Sequence, residues 1–235
     1  MRREDCWLVN ECNNIDCDKP ICPKRYLLDK FYTNAFISDQ NRRHHKLDLT
    51  DECDRQMFDK LSAIEKDIVN FIKGGNSLYI YSATTGNGKT SWALRLIQDY
   101  LNNSWYKIDI DCPVLFISVP RYLLAIKENI TDKSEYVQHI KTNVLNCDLV
   151  VWDDIGSKAA TTFEHETLFS IIDTRINSGK SNIYTSNLSS GELLDFVGER
   201  LYSRIYDQSQ PNIVEFKGKD NRHIENKRWG NERKS

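Results

Sequence analysis

Leu78-Tyr79-Ile80-Tyr81-Ser82-Ala83-Thr84-Thr85-Gly86-Asn87-Gly88-Lys89-Thr90 is the stretch on which the reading of this chain turns. Leu78 to Tyr81 is a short aromatic and β-branched run, which predicts a strand. Ala83 to Thr90 then follows the pattern G-x-x-x-x-G-K-[ST], except that Ala83 stands at its first position. Gly86 and Gly88 let the backbone curl so that successive N–H groups converge on an anion. Ser91 to Leu101 reads as a helix, whose positive dipole end adds to the attraction. In such a loop Lys89 reaches the β- and γ-phosphates of a nucleotide and the Thr90 hydroxyl binds Mg²⁺. The bland alternative is a Gly-containing turn before a helix. A strand directly before and a helix directly after are what a phosphate loop requires, so Ala83, Thr84, Thr85, Gly86, Asn87, Gly88, Lys89 and Thr90 are expected to hold ATP or ADP.

Working outward, a phosphate loop needs acidic groups at the end of a neighbouring strand. Leu149-Val150-Val151-Trp152 is apolar throughout, as expected of a central parallel strand covered on both faces, and it delivers Asp153-Asp154. Asp153 is expected in the Mg²⁺ shell and Asp154 as the group that polarises an attacking water. Asp154 stands where a longer Glu is commoner, which bears on the speed of hydrolysis and not on binding. Further strands are expected at Val114–Val119, Asn182–Ser186 and Ile213–Phe216. Helices are expected from Met57 to Ile72, closed by Gly74-Gly75, and from Phe163 to Ile176. Strands alternating with helices predict an α/β fold with a parallel sheet flanked by helices.

The bulk properties fit one medium domain with a small appendage. The chain has 235 residues and a net charge of −2, so any nucleic-acid contact must come from a local patch. No signal peptide or membrane span is legible, and the chain is expected in the cytoplasm. There its seven cysteines are thiols or metal ligands. Cys53, Cys112 and Cys147 are scattered and expected to be buried and inert. Cys6, Cys12, Cys17 and Cys22 crowd a polar segment with almost no core of its own, and tetrahedral Zn²⁺ on four thiolates is one way to staple it. Free thiols, or His44 and His45 as alternative ligands, remain open. Residues 1–55 are thus expected to form a small Cys-rich module with a linker, and 56–235 the nucleotide-binding domain.

These motifs, together with Thr185-Ser186-Asn187 and Gly198-Glu199-Arg200-Leu201-Tyr202-Ser203-Arg204-Ile205, resemble the AAA+ ATPases of the DnaC/DnaI replicative helicase loader family. The resemblance runs from about residue 57 to 225. The Cys-rich opening from Cys6-Trp7 resembles loaders carried by bacteriophages of Gram-positive hosts. The resemblance implies an AAA+ core without a full C-terminal lid, in keeping with the short stretch after Asn187. It also implies that Asn187 bridges the γ-phosphate and the lytic water, that Arg204 is an arginine finger, and that Arg222 is a second sensor. Arg200, one turn before Arg204, is either a partner in that role or an ordinary solvated arginine.

By the same resemblance, residues 1–55 would grip a DnaB-type hexameric helicase, and the ATPase core would self-associate. The helix opened by Val119-Pro120-Arg121-Tyr122-Leu123, with Lys127, would touch single-stranded DNA. An Arg beside a Tyr can pair with phosphate and stack on a base, although a plain surface helix reads the same way. Residues 217–235 carry seven Lys/Arg against three Asp/Glu, a basic tail that could contact DNA or simply be solvated. Two other functions stay open: an IstB-type transposition ATPase, and a nucleotide-gated adaptor with little turnover.

Overall fold

The computed structural model describes residues 6–8, 22–42, 47, 49, 51–128, 134–157 and 161–218. Its centre is a five-stranded sheet of β1 (Ser77–Tyr81), β2 (Val114–Ser118), β3 (Leu149–Asp153), β4 (Ser181–Ser186) and β5 (Ile213–Glu215), in the order β2-β3-β4-β1-β5. Every pairing is parallel. Successive side chains of a strand point to opposite faces, and the core divides accordingly. Leu78, Ile80, Val151 and Ile183 face one layer; Tyr79, Val150, Trp152 and Tyr184 face the other.

Over the first face lie α1 (Pro23–Asn34), α2 (Arg55–Lys66), α3 (Ile68–Lys73) and α4 (Lys89–Ser104); over the second lie α5 (Val119–Glu128), α6 (Glu135–Asn143), α7 (Thr162–Asn177) and α8 (Ser190–Ile205). This is the parallel α/β sandwich expected from the sequence. One expected helix is two: the Met57–Ile72 pattern breaks at Asp67 (φ −119°, ψ 26°), which lies outside helical geometry, between α2 and α3. Gly74 and Gly75 do close α3, with Gly75 at φ 65°.

α1 has no counterpart in the sequence reading, which left this stretch within the N-terminal module. It buries Leu28, Phe31 and Tyr32, with Ala35 and Ile37 just after it, in the same core as Leu96, Ile97 and Val114. The Ala35 carbonyl accepts the Phe116 N–H at 3.0 Å, so the segment also covers part of the exposed edge of β2. Thus the described part of residues 1–55 shares its core with the α2–α4 layer. Cys112 and Cys147 are buried as expected, but Cys53 is exposed, because it sits on a single surface turn ahead of α2. Partial desolvation and the Asp51 and Asp54 carboxylates push its thiol up to about 11, so it stays protonated at neutral pH. Among the described residues no helix is long and apolar enough to cross a membrane.

Candidate active site

β1, β3 and β4 are neighbours and parallel, so their C-terminal ends meet at one edge of the sheet. The register pairs Tyr81 with Ser186, Trp152 with Tyr184 and Ser118 with Asp153. Open α/β sheets bind ligands at that edge. The loop after β1 turns through Gly86 (φ 74°) and Gly88 (φ 95°), left-handed conformations that disfavour any side chain. Gly88 is the residue before α4, so the loop feeds directly into a helix N-terminus. Lys89 and Asn87 are buried. Asn87 hydrogen-bonds the Ser82 hydroxyl, while Lys89 Nζ donates to the Thr84 carbonyl at 3.0 Å and to Asn87 Oδ1 at 3.2 Å.

Thr90 links the loop to the acidic strand: its hydroxyl donates to Asp153 Oδ1 at 2.9 Å. The same oxygen accepts the Thr185 hydroxyl at 2.7 Å. Burial pushes the Asp153 carboxyl above its ordinary value, against the two hydroxyls and Lys89, which favour the charged form. A half-buried carboxylate beside a threonine hydroxyl at a phosphate loop suits a hard divalent cation, so these residues fit Mg²⁺. Asp154 adopts φ 61°, the left-handed region that non-glycine residues seldom occupy. There its N–H points at Thr185 Oγ1 (2.9 Å) and its carboxylate accepts from Asn187 Nδ2 at 2.8 Å. The structure therefore brings together Lys89, Thr90, Asp153, Asp154 and Asn187. It adds Thr185, which the sequence offered only as part of a motif.

The two arginines stand elsewhere. α8 is broken at Gly198 (φ 75°, ψ 162°), and its second half carries both. One turn apart, they meet two residues one turn apart on α7. Arg200 lies over the Phe169 ring at 4.3 Å, and Arg204 Nε is 2.6 Å from Asp173 Oδ1. A tyrosine ladder fixes this half-helix on β1: Tyr202 stacks on Tyr206, and Tyr206 meets Tyr79 edge-on. Of the residues expected to touch DNA, Tyr122 corrects the reading. It is 1% exposed, because it falls on the same helical stripe as Val119, Leu123 and Ile126, and so offers no face to a base. Arg121 sits instead over the Tyr136 ring at 4.6 Å, and Lys127 pairs with Glu164 at 3.1 Å. Arg222, Cys12, Cys17, His44 and His45 lie outside the described residues, while Cys6 and Cys22 are half-buried and are in no disulfide among the described residues.

A family model for IstB-like ATP binding proteins matches residues 42–228. The chain belongs to that family. It is 25% identical over 154 residues to the replicative helicase loader DnaC of Escherichia coli K12, an alignment covering 66% of this chain and 59% of that protein. The chain thus spans about three-fifths of the length of the curated relatives it matches first. A crystal structure of the DnaC helicase loader superposes with a TM-score of 0.61 at 21% identity, over 77% of this chain and 100% of that one. One of DnaI gives 0.59 at 15% identity, over 80% and 95%. At those identities the superpositions speak for the fold alone, a parallel sheet flanked by helices. The expected parallel sheet flanked by helices and the expected kinship with the DnaC/DnaI loaders both hold.

Proposed function

We propose that this protein is an ATP-dependent loader of a DnaB-type hexameric replicative helicase onto single-stranded DNA, with ATP hydrolysis that depends on self-association. The observation that carries the ATPase part is the closed set of contacts joining the phosphate loop to the acidic strand: Thr90 to Asp153, Asp153 to Thr185, and Asp154 to Asn187. The likeness to DnaC, described as a replicative helicase loader, supports the partner.

In this reading the N–H groups of residues 84–90 and the Lys89 ammonium hold the β- and γ-phosphates. Lys89 exchanges the neutral carbonyl of Thr84 for a charged phosphate oxygen, a stronger hydrogen bond. Thr90 and Asp153 hold Mg²⁺, which when bound neutralises charge on the phosphates. Asp154 accepts the proton of the attacking water, and Asn187 orients that carboxylate and the water together. Arg204 would serve a neighbouring subunit's site, the role that the resemblance to the loaders implies, after releasing Asp173 of its own chain. Arg200 lies against Phe169 and is given a lesser, packing part.

The test is reconstitution. The protein is mixed with a DnaB-type hexameric helicase and a single-stranded DNA, with and without ATP, and helicase bound to DNA is measured. ATP-dependent deposition of helicase supports the reading. The IstB-like family match keeps a transposition ATPase as the second reading; co-purification with a transposase and no stimulation of helicase binding would favour it. Phosphate release that stays at background with both partners present would point to a nucleotide-gated adaptor.

A further inference from the structure

Thr185 is 2% exposed and lies at the C-terminal end of β4, between Ile80 of β1 and the residue that follows Trp152 on β3. It is the one described residue whose polar atoms meet both acidic groups of the site. Its hydroxyl donates to Asp153 Oδ1 at 2.7 Å and accepts the Asp154 N–H at 2.9 Å, while its carbonyl accepts the Ile155 N–H at 2.9 Å. Two successive N–H groups can reach one residue only because Asp154 takes the left-handed backbone noted above.

The two hydroxyl bonds have fixed and opposite senses. A backbone N–H can only donate, so the Thr185 oxygen must accept from Asp154. The single hydroxyl proton is then committed to Asp153. One side chain thereby ties the rotamer of the carboxylate at the cation position to the backbone that aims the second carboxylate at Asn187. Thr90 completes the arrangement from the other side, by sharing the same oxygen of Asp153.

We infer that Thr185 is a positioning residue that sets the geometry of both acidic groups, and through Asp153 the response of nucleotide binding to Mg²⁺. This rests on the reading of the site as one for ATP and Mg²⁺. Hydrogen-bond partners of metal ligands matter out of proportion to their distance from the metal, and their loss typically costs about 10- to 100-fold in affinity or activity.

The experiment uses the full chain, with ATP as the probe, titrated once with Mg²⁺ and once with a chelator. Thr185→Val removes the hydroxyl at nearly constant volume; Thr185→Ser keeps it. Thr185→Val should lose about tenfold in Mg²⁺-dependent ATP affinity and at least as much in turnover. Its metal-free ATP affinity should stay close to that of the parent, its melting temperature should fall by about a few degrees because the Asp154 N–H loses its acceptor, and Thr185→Ser should recover the metal-dependent part. Equal loss with and without Mg²⁺, no rescue by serine, or an unchanged valine variant would overturn the proposal. Thr185→Ala runs alongside, and if neither hydroxyl-free variant folds the residue is structural and the proposal fails. Lys89→Ala separates the two levels. If it binds ATP normally, the site itself is misplaced. If it loses ATP while Thr185→Val does not, only the role of Thr185 is wrong.

Discussion

Arg204 on the second half of α8 and Asp173 on α7 form an ion pair with Nε and Oδ1 2.6 Å apart. The side chains are 33% and 25% exposed, so water screens the pair and its contribution is about 1 kcal/mol or less. A neighbour's phosphate, bidentate and doubly charged, would compete with it easily. Arg204→Ala should therefore bind ATP normally and hydrolyse almost nothing, because such fingers contribute roughly 10³ or more in rate. Mixing it with Lys89→Ala should restore part of the activity, since the Lys89→Ala subunit still offers its arginine to an intact loop next door. The ATPase rate is followed against mixing ratio at constant total protein, and a flat line at background contradicts action between subunits.

Asp154→Asn separates binding from chemistry. The amide still reaches Asn187 but cannot take a proton, so turnover should fall by about 10² or more while ATP affinity stays within a few-fold. Single-turnover phosphate release and equilibrium titration check the two halves. Persistent turnover would assign the base elsewhere.

Phe31→Ala tests whether the N-terminal segment and the ATPase layer share one core. Phe31 is 2% exposed in the cluster that also holds Leu96 and Val114, so truncation should cost about 3–5 kcal/mol. Urea unfolding should show a single transition at a lower midpoint. Two transitions, with only the smaller one affected, would make the segment an independent module.

Glu164 gives a pH dependence with a definite sign. Burial raises its carboxyl, but the Thr161 N–H and hydroxyl and the Lys127 ammonium lower it further, leaving it below its ordinary value of 4.5. A depressed carboxylate stabilises the fold above the unfolded value, and that contribution disappears as pH falls through the folded one. Thermal unfolding of Glu164→Gln should show a lower melting temperature than the parent at neutral pH and a shallower decline below about pH 4.5. Parallel curves over that range would remove Glu164 from the acid response.

What the sequence made legible depended on how tightly chemistry restricts residue choice. The phosphate loop needs glycines, a lysine and a hydroxyl in fixed order, so β1, the loop and α4 could be read off directly. The apolar run before Asp153-Asp154 worked for a similar reason, since a strand covered on both faces admits little else. α1 and α6 were not legible. α1 buries only Leu28, Phe31 and Tyr32 among charged neighbours, and α6 only Val137 and Ile140, too little period to stand out. Tyr122 misled because a tyrosine beside an arginine looks like a stacking platform until the helix phase is known. The part played by Thr185 was hidden because a hydroxyl within a buried strand reads as ordinary until the register sets it beside Asp153.

Residues 83–90 and Asp153 would together hold ATP and Mg²⁺, and equilibrium binding of Mg-ATP to the parent and to Lys89→Ala tests this most directly. The variant should keep its melting temperature and lose about 10- to 100-fold in affinity, the equivalent of the roughly 1.5–3 kcal/mol of a hydrogen bond to a charged group. Equal affinity in the two proteins, with both folded, would contradict it.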